Sequence, residues 1–166
     1  YLELLKQPYT GCNPRGITLA SDKALLKQIL SWHRIAVPAF AVFPQRTRKA
    51  KLPKRMQFPV IVKSATQHGS AGISQASIVR SDEELAERVE FMHRTVGDDV
   101  VVEQFIEGRE LTVSIVGNER LDAFPVWEMW FDNLPDRTQA IATEKLKWNV
   151  EYAHKVGLRT GPARDL

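Results

Sequence analysis

Two segments of this sequence carry residue types that suit nucleotide binding. The first starts at Lys63, which ends an apolar stretch and precedes a loop, residues 64–72, that is rich in Ser, Thr and Gly. Backbone amides and hydroxyl groups in such a loop can donate hydrogen bonds to phosphate oxygens, and a lysine at its start adds a point charge. The alternative interpretation is a solvated lysine beside an ordinary flexible loop.

The second segment runs from Glu103 to Glu110 and follows another apolar stretch. Backbone groups around Phe105 and Ile106 could hydrogen-bond an adenine edge, while a carboxylate such as Glu110 could hold two ribose hydroxyls. The alternative here is a plain strand–turn–strand connection with acidic surface residues. Each segment alone leaves its alternative open.

The elements that must position these residues indicate an α+β chain. Asp22 or Ser21 can cap a first helix, and Ser81 with Glu84 forms a capping box for a second helix that ends at Gly97. Strands are predicted at residues 39–43, 58–63, 73–79, 100–103, 110–115, 121–129 and 139–143.

Three features of these predictions can be checked directly. The 110–115 strand alternates, so Leu111, Val113 and Ile115 are expected to point inward. Gly117-Asn118 is expected to turn the chain into a hairpin. The segments before residue 17 and after Lys155 are predicted to have no regular structure.

Composition limits the function classes. The chain has 166 residues, 43% of them hydrophobic, and no apolar run long enough to span a bilayer, so no membrane partner is expected. The single Cys12 excludes an intrachain disulfide and favours a reducing compartment, the cytoplasm. Six cations lie within residues 46–55, but no aromatic residues alternate with them. A solvated loop is therefore favoured over a nucleic-acid site, and no nucleic-acid partner is predicted.

Taken together and in order, the segments resemble the ATP-grasp fold of the D-alanine–D-alanine ligase group. The matching stretches lie at residues 8–12, 22–23, 58–63, 102–113, 117–118, 124–128 and 141–148. The resemblance implies an ATP-dependent carboxylate–amine ligase that works through an acyl phosphate. The alternative is a non-catalytic ATP-binding or interaction module on the same fold.

The resemblance also implies roles for individual residues. Phosphate contacts are expected from Lys23 and Lys63, and the loop 64–72 would be a lid with Ser70 and Gly72 at the matching positions. The remaining nucleotide contacts would be Glu103 to the adenine amino group, Phe105 and Ile106 through their backbone, Glu110 to the ribose, and Lys147 to the terminal phosphate. No catalytic residue is assigned.

Two departures from the family pattern concern the lid. The family strand normally continues Lys-Pro, but here Ser64 follows Lys63. Gly69 replaces one serine of a pair that belongs to a substrate-orienting network in the resembled enzymes. The amino-acid substrate, or a dipeptide-type substrate, is therefore left open.

The resemblance finally implies an incomplete domain plan. Residues 1–16 would be a junction, 17–104 the small ATP-grasp subdomain, and 105–166 the beginning of the large one. The family's Mg²⁺ ligands are not found, since only Glu151 and Asp165 are carboxylates beyond Lys147. We therefore expect this chain to be the central portion of a longer parent enzyme and to be inactive alone. The parent enzyme is expected to hold Mg²⁺ and to form a homodimer.

Overall fold

The computed structural model describes residues 1–166 and contains two compact units. Unit 1 comprises Tyr1–Gly72 and Ser77–Phe105, and unit 2 comprises Ile73–Ala76 and Ile106–Leu166. Helices and strands occur in both units, in agreement with the predicted α+β class. None of the helices combines the length and apolar character needed to cross a membrane.

The helices of unit 1 each begin at a side-chain cap. They are α1 (Pro14–Ser21), α2 (Lys23–Trp32) and α3 (Asp82–Thr95). The caps are Asn13, Asp22 and Ser81, whose side-chain oxygens accept hydrogen bonds from backbone N–H groups in the first turn. The α2 and α3 helices are confirmed, but the predicted capping box is only half formed, because Glu84 accepts from the Arg80 N–H and not from the Ser81 N–H. Helix α1 was predicted as loop, although Asn13 followed by proline at the first helical position is a helix-start signal.

The strands of unit 1 form one antiparallel sheet in the order β1-β4-β2-β3. They are β1 (Phe40–Phe43), β2 (Val60–Ser64), β3 (Ile78–Val79) and β4 (Val100–Gln104). The predicted 73–79 strand is mostly wrong, because Gln75–Ser77 forms a 3-10 turn and only two residues pair with β2.

One face of this sheet packs on α3 and forms the core. The core residues from β2 and β4 are valines, and those from α3 are fully or almost fully buried: Val60, Val62, Val100, Val102, Leu85, Val89 and Met92. Burying each such side chain stabilises the fold by roughly 1.5–3 kcal/mol. The middle strands are therefore held firmly, which matters for the side chains on their other face.

Unit 2 contains two small sheets and two short helices. Its elements are β5 (Glu110–Thr112), β6 (Ile115–Gly117), β7 (Leu121–Ala123), β8 (Trp127–Phe131), α4 (Glu144–Trp148), α5 (Val150–Lys155) and β9 (Leu158–Pro162). The strands β5, β8 and β9 pair antiparallel in that order, and β6 pairs with β7 as a separate hairpin.

The hairpin prediction at Gly117-Asn118 is confirmed, but the long strands around it are wrong. The 110–115 stretch breaks between β5 and β6, and its apolar side chains are exposed: Leu111 by 43%, Val113 by 47% and Ile115 by 57%. The predicted inward face is therefore not covered by any part of this chain.

Two further predictions for unit 2 are wrong. Residues 139–143 form no strand, and Thr143 instead caps α4 by accepting a hydrogen bond from the Leu146 N–H. The segment after Lys155 contains β9, which pairs with β8 over five residues. The sequence does not indicate this strand, because Gly161 and Pro162 are residue types that are depleted in strands.

Candidate functional site

Three lysine side chains and one glutamate meet in unit 1. Lys27 Nζ lies 3.4 Å and Lys63 Nζ 3.2 Å from the same oxygen, Glu103 Oε2. The third lysine, Lys23, lies one helical turn before Lys27 on α2 and so projects from the same side of the helix. We call these four residues the lysine–glutamate cluster.

The sheet register explains why two members of the cluster meet. Ile61 lies opposite Glu103, and Lys63 lies opposite Val101, so Lys63 and Glu103 are diagonal neighbours on one face of the β2–β4 pair. This face is opposite the core valines, since side chains alternate along a strand. Glu103 is only 6% exposed, so its charge is offset by lysines more than by water.

Lys23 ties the helix to the loop that follows β2. Its Nζ donates a hydrogen bond of 2.6 Å to the Gln67 carbonyl oxygen, and the Lys23 N–H donates to the Ala65 carbonyl. Burial lowers the pKa of Lys23, and the nearby positive charge of Lys63 lowers it further. Within the cluster three ammonium groups face one carboxylate, and the carboxylates of Asp98 and Asp22 also act on Lys23. The partly exposed ammonium group of Lys63 is the one best placed to meet an anionic ligand.

The 64–72 loop has the irregular backbone that the sequence predicts. Gly69, Ser70 and Gly72 adopt the left-handed conformation, with φ of 68°, 64° and 69°. The positive φ at Ser70 is uncommon for a residue with a side chain and directs the chain through a tight reversal. Thr66, Gln67 and His68 are exposed, so this part of the loop faces solvent.

The residues after β4 are placed less tightly. The Phe105 N–H donates to the Pro59 carbonyl and so extends the sheet of unit 1. In unit 2, Ile106 is 65% exposed, and Glu110 is exposed at the start of β5 opposite Met129. Among the residues that the sequence singles out, only Lys63 and Glu103 form a direct ion pair.

Lys147 lies in α4 and is exposed. It lines a cavity of about 350 Å³ within unit 2, whose other walls are mostly apolar: Met129, Ala142, Leu146, Val150, Ala153, His154 and Leu158. The lysine is the one strongly charged side chain at this cavity, so its ammonium group can meet an anion at the rim.

Two other features bear on ligands. No group of three or more His, Cys, Asp or Glu side chains in the chain could hold a metal ion, so the residues present do not fit the Mg²⁺ that the fold family implies.

The basic run, residues 46–55, is anchored through the Leu52 N–H, which donates to Asp82 Oδ1. Its six cations are all exposed, and none forms an ion pair: Arg46, Arg48, Lys49, Lys51, Lys54 and Arg55.

A comparison with known proteins decides the family. A family model described as "D-ala D-ala ligase C-terminus" matches residues 29–145, which include the end of α2, the whole of α3 and the whole four-stranded sheet. This chain belongs to the D-alanine–D-alanine ligase family. Most of its curated relatives are named D-alanine–D-alanine ligases.

Individual members of the D-alanine–D-alanine ligase family support this assignment. The D-alanine–D-alanine ligase of Bordetella petrii is 35% identical over 130 residues, which are 77% of this chain and 38% of that protein. The chain thus spans less than half the length of the curated relatives that it matches.

Solved ligase structures show the fold. The D-alanine–D-alanine ligase of Bacillus anthracis superposes on 99% of this chain and 49% of its own with a TM-score of 0.70 at 20% identity, and its complex with ATP gives a TM-score of 0.68. The VanG D-Ala:D-Ser ligase of Enterococcus faecalis covers 94% of this chain and 50% of its own, with a TM-score of 0.64 at 21% identity. The predicted ATP-grasp fold is confirmed.

Sequence reasoning missed Lys27 as a member of the lysine–glutamate cluster. A signal was present, because Lys27 follows Lys23 by four residues and therefore shares its helix face. The spacing of the apolar residues is the more prominent pattern in this helix. The pairing of Lys27 with Glu103 depends on a contact between residues 76 positions apart in the chain, which no local pattern specifies.

Proposed function

We propose that this chain supplies the ATP-binding residues of a ligase that joins a carboxylate to an amine, as in D-alanine–D-alanine ligases. The observation that carries the proposal is the lysine–glutamate cluster at the start of the 64–72 loop. Three ammonium groups beside a loop that carries glycines and hydroxyl groups suit a triphosphate. The family assignment then supplies the reaction class.

On the phosphate side, Lys23 and Lys63 contact ATP oxygens, and the 64–72 loop closes over them through Ser70 and Gly72. Lys27 adds positive charge and holds Glu103 in place. Lys147 reaches the terminal phosphate. Phosphoryl transfer depends mainly on positioning and charge neutralisation, which is work that lysines do without taking part in covalent chemistry.

On the adenosine side, Glu103 accepts a hydrogen bond from the adenine amino group. Both lysine contacts use Glu103 Oε2, so Oε1 remains as the acceptor. The backbone of Phe105 and Ile106 completes the adenine contacts. The Phe105 N–H already donates to Pro59, so its carbonyl oxygen is the group that remains. Glu110 accepts hydrogen bonds from the ribose hydroxyls.

The reaction that follows from the family has two steps. An oxygen of the substrate carboxylate attacks the γ-phosphorus of ATP, the bond to the β-phosphate oxygen breaks, and ADP leaves. The amine of the second substrate then attacks the acyl carbon, loses a proton and expels phosphate, which leaves an amide. Because the residues present do not fit Mg²⁺, no step is assigned to a metal in this chain, and the ion belongs to the parent enzyme.

The substrate class that we propose is a D-amino acid pair. The Bordetella petrii relative carries D-alanine twice in its name, whereas the Enterococcus faecalis neighbour is a D-Ala:D-Ser ligase. Gly69 replaces a family serine in the lid, so the second amino acid can differ from D-alanine. We place the full-length enzyme in the cytoplasm, where ATP is made, and expect it to be a homodimer with subdomains at 17–104 and 105–166.

The test is a substrate screen with the full-length natural protein. Phosphate release is measured with ATP, Mg²⁺ and panels of D- and L-amino acids, and the products are identified by mass spectrometry. Phosphate release in proportion to a D,D-dipeptide supports the ligase. ATP binding without phosphate release on any panel member would support the non-catalytic module instead, and absence of ATP binding would reject both.

A further inference from the structure

The 64–72 loop is fixed at its start by one aspartate. Asp98 Oδ2 accepts hydrogen bonds from the Ser64 hydroxyl, from the Thr66 N–H at 2.7 Å and from the Thr66 hydroxyl at 3.0 Å. The Ser64 oxygen in turn accepts from the Gln67 N–H at 2.8 Å. Four hydrogen bonds thus converge on the side chains of Ser64, the last residue of β2, and Asp98, which lies just before β4.

The end of the same loop is fixed by an arginine from α3. Arg88 Nη2 donates to the Gly72 carbonyl oxygen and, at 2.8 Å, to the Ser77 hydroxyl. Its guanidinium group also stacks 4.6 Å from the ring centroid of Phe91. The backbone of Gly72 approaches α3 so closely that a Cβ atom there would lie 2.8 Å from Met92 Sδ.

This second contact is costly for the fold. Arg88 is only 9% exposed, burial lowers its pKa, and its Nε has no hydrogen-bond partner. A buried charge with an unpaired donor is destabilising compared with an apolar side chain of similar size. Violations of this kind are typical of positions that serve function, which suggests that holding Gly72 is what the arginine contributes.

Between the two fixed ends, the loop is lightly held. Lys23 Nζ donates to the Gln67 carbonyl, and one backbone hydrogen bond of 3.3 Å joins the Ala71 N–H to the His68 carbonyl. The left-handed residues Gly69 and Ser70 lie in this stretch. A short tip between firm anchors can change conformation at low cost, while its ends stay in register with the sheet.

We propose that Asp98 and Arg88 are positioning residues that anchor the two ends of the 64–72 loop and so hold residues 67–71 ready to close on a nucleoside triphosphate. The nucleotide part rests on the proposed function, and the anchoring part does not.

The test combines loop exchange and ATP affinity in the full-length natural protein. Asp98→Ala and Arg88→Met remove one anchor each, and Asp99→Ala and Arg94→Met are the matched controls. Asp99 accepts a hydrogen bond from the Gln45 N–H, and Arg94 is exposed on the same helix as Arg88. Hydrogen exchange is followed by mass spectrometry, and ATP binding is followed by calorimetry.

In the absence of ATP, Asp98→Ala is expected to accelerate exchange at residues 64–67 and Arg88→Met at residues 70–77, with no change in β4. The ATP dissociation constant should rise about fivefold to tenfold in each, because binding must then order a loose loop. Saturating ATP should restore slow exchange in the loop, which a merely misfolded variant would not show. Neither control should change the loop or the affinity.

The two parts of the proposal fail differently. Unchanged loop exchange in both variants would overturn the anchoring. Faster exchange with unchanged ATP affinity would overturn the positioning role, while wild-type ATP binding would leave the proposed function standing. If the wild type fails to bind ATP, the proposed function falls and the exchange data still decide the anchoring. Ser64→Ala and Arg88→Lys provide milder changes if either main variant does not fold.

Discussion

Unit 1 and unit 2 bury their apolar residues to very different extents. In unit 1, four valines of the central strands and three residues of α3 are at most 2% exposed and form one core. In unit 2, the only buried apolar residues are Leu146 and Val156. Its strands and the residues next to them leave large apolar side chains open to solvent: Leu111, Val113, Ile115, Val116, Leu121, Phe124, Trp127 and Trp130.

The deeper burial in unit 1 determines where functional side chains can be held in fixed positions. The lysine–glutamate cluster lies on strands whose opposite face is packed, so a small displacement of Glu103 or Lys63 would disturb the core. The unit 2 residues Glu110 and Lys147 have no comparable support within their own unit.

The largest expected effect tests the core directly. Leu85→Ala is expected to destabilise unit 1 by about 2–5 kcal/mol, since the side chain is fully buried and a cavity remains. The matched change Leu111→Ala in unit 2 should alter stability by less than about 0.5 kcal/mol, because that side chain is already exposed. Hydrogen exchange of the β4 and β5 amides measures the two local free energies. A similar loss of local unfolding free energy in both units would show that unit 2 is packed as tightly as unit 1.

A substitution at Gly117 is expected to destabilise one hairpin of unit 2 strongly and to leave the rest of the chain unchanged. Gly117 has φ of 134°, and a Cβ atom there would lie 1.9 Å from the Arg120 carbonyl oxygen, so Gly117→Ala must open the β6–β7 hairpin. Isolated two-stranded hairpins are marginal at best. We expect fast amide exchange at residues 115–123 and unchanged exchange in β4. Faster exchange in β4 would show that the two units share more stability than their burial indicates.

The smallest expected effect concerns acid and involves Asp98 in unit 1. Burial raises the pKa of Asp98, but the hydrogen bonds from Ser64 and Thr66 outweigh it and hold the pKa below its ordinary value. Its contribution to stability is therefore complete above about pH 4 and is lost as the pH falls through the lower folded-state pKa. Exchange at residues 64–67 should rise over this range in the wild type.

The Asp98→Asn variant is the control for the acid effect. Asparagine keeps an oxygen acceptor for the loop but cannot titrate, so loop exchange, corrected for the intrinsic pH dependence of amide exchange, should no longer change below about pH 4. An equal rise in the variant would assign the acid sensitivity to another carboxylate.

The success of sequence reasoning also follows the division into units. In unit 1, Asp22 and Ser81 are strong local start signals, and the valine runs of β2 and β4 are long enough to be recognised. In unit 2, the alternation at Leu111, Val113 and Ile115 predicted a buried face. Alternation records which side chains share a face, and whether that face is covered depends on a second layer of structure.

The candidate site was predictable only in part. The residues that the family resemblance singles out include Lys23, Lys63 and Glu103, and their roles stay predictions. Lys27, Asp98 and Arg88 were missed because their significance comes from contacts across the fold. Arg88 lies 16 residues from Gly72, and Asp98 lies 34 residues from Ser64. Such pairs are set by how α3 and the strands pack, which a single sequence does not specify.

We propose that the lysine–glutamate cluster binds the phosphates of ATP. Calorimetric titration of ATP into the full-length natural protein tests it with Lys63→Ala and with Lys51→Ala, an exposed lysine of the basic run. Lys63→Ala should raise the dissociation constant about tenfold or more, because a charge-assisted contact is lost, and Lys51→Ala should leave it unchanged. Equal affinity in the wild type and Lys63→Ala would contradict the account.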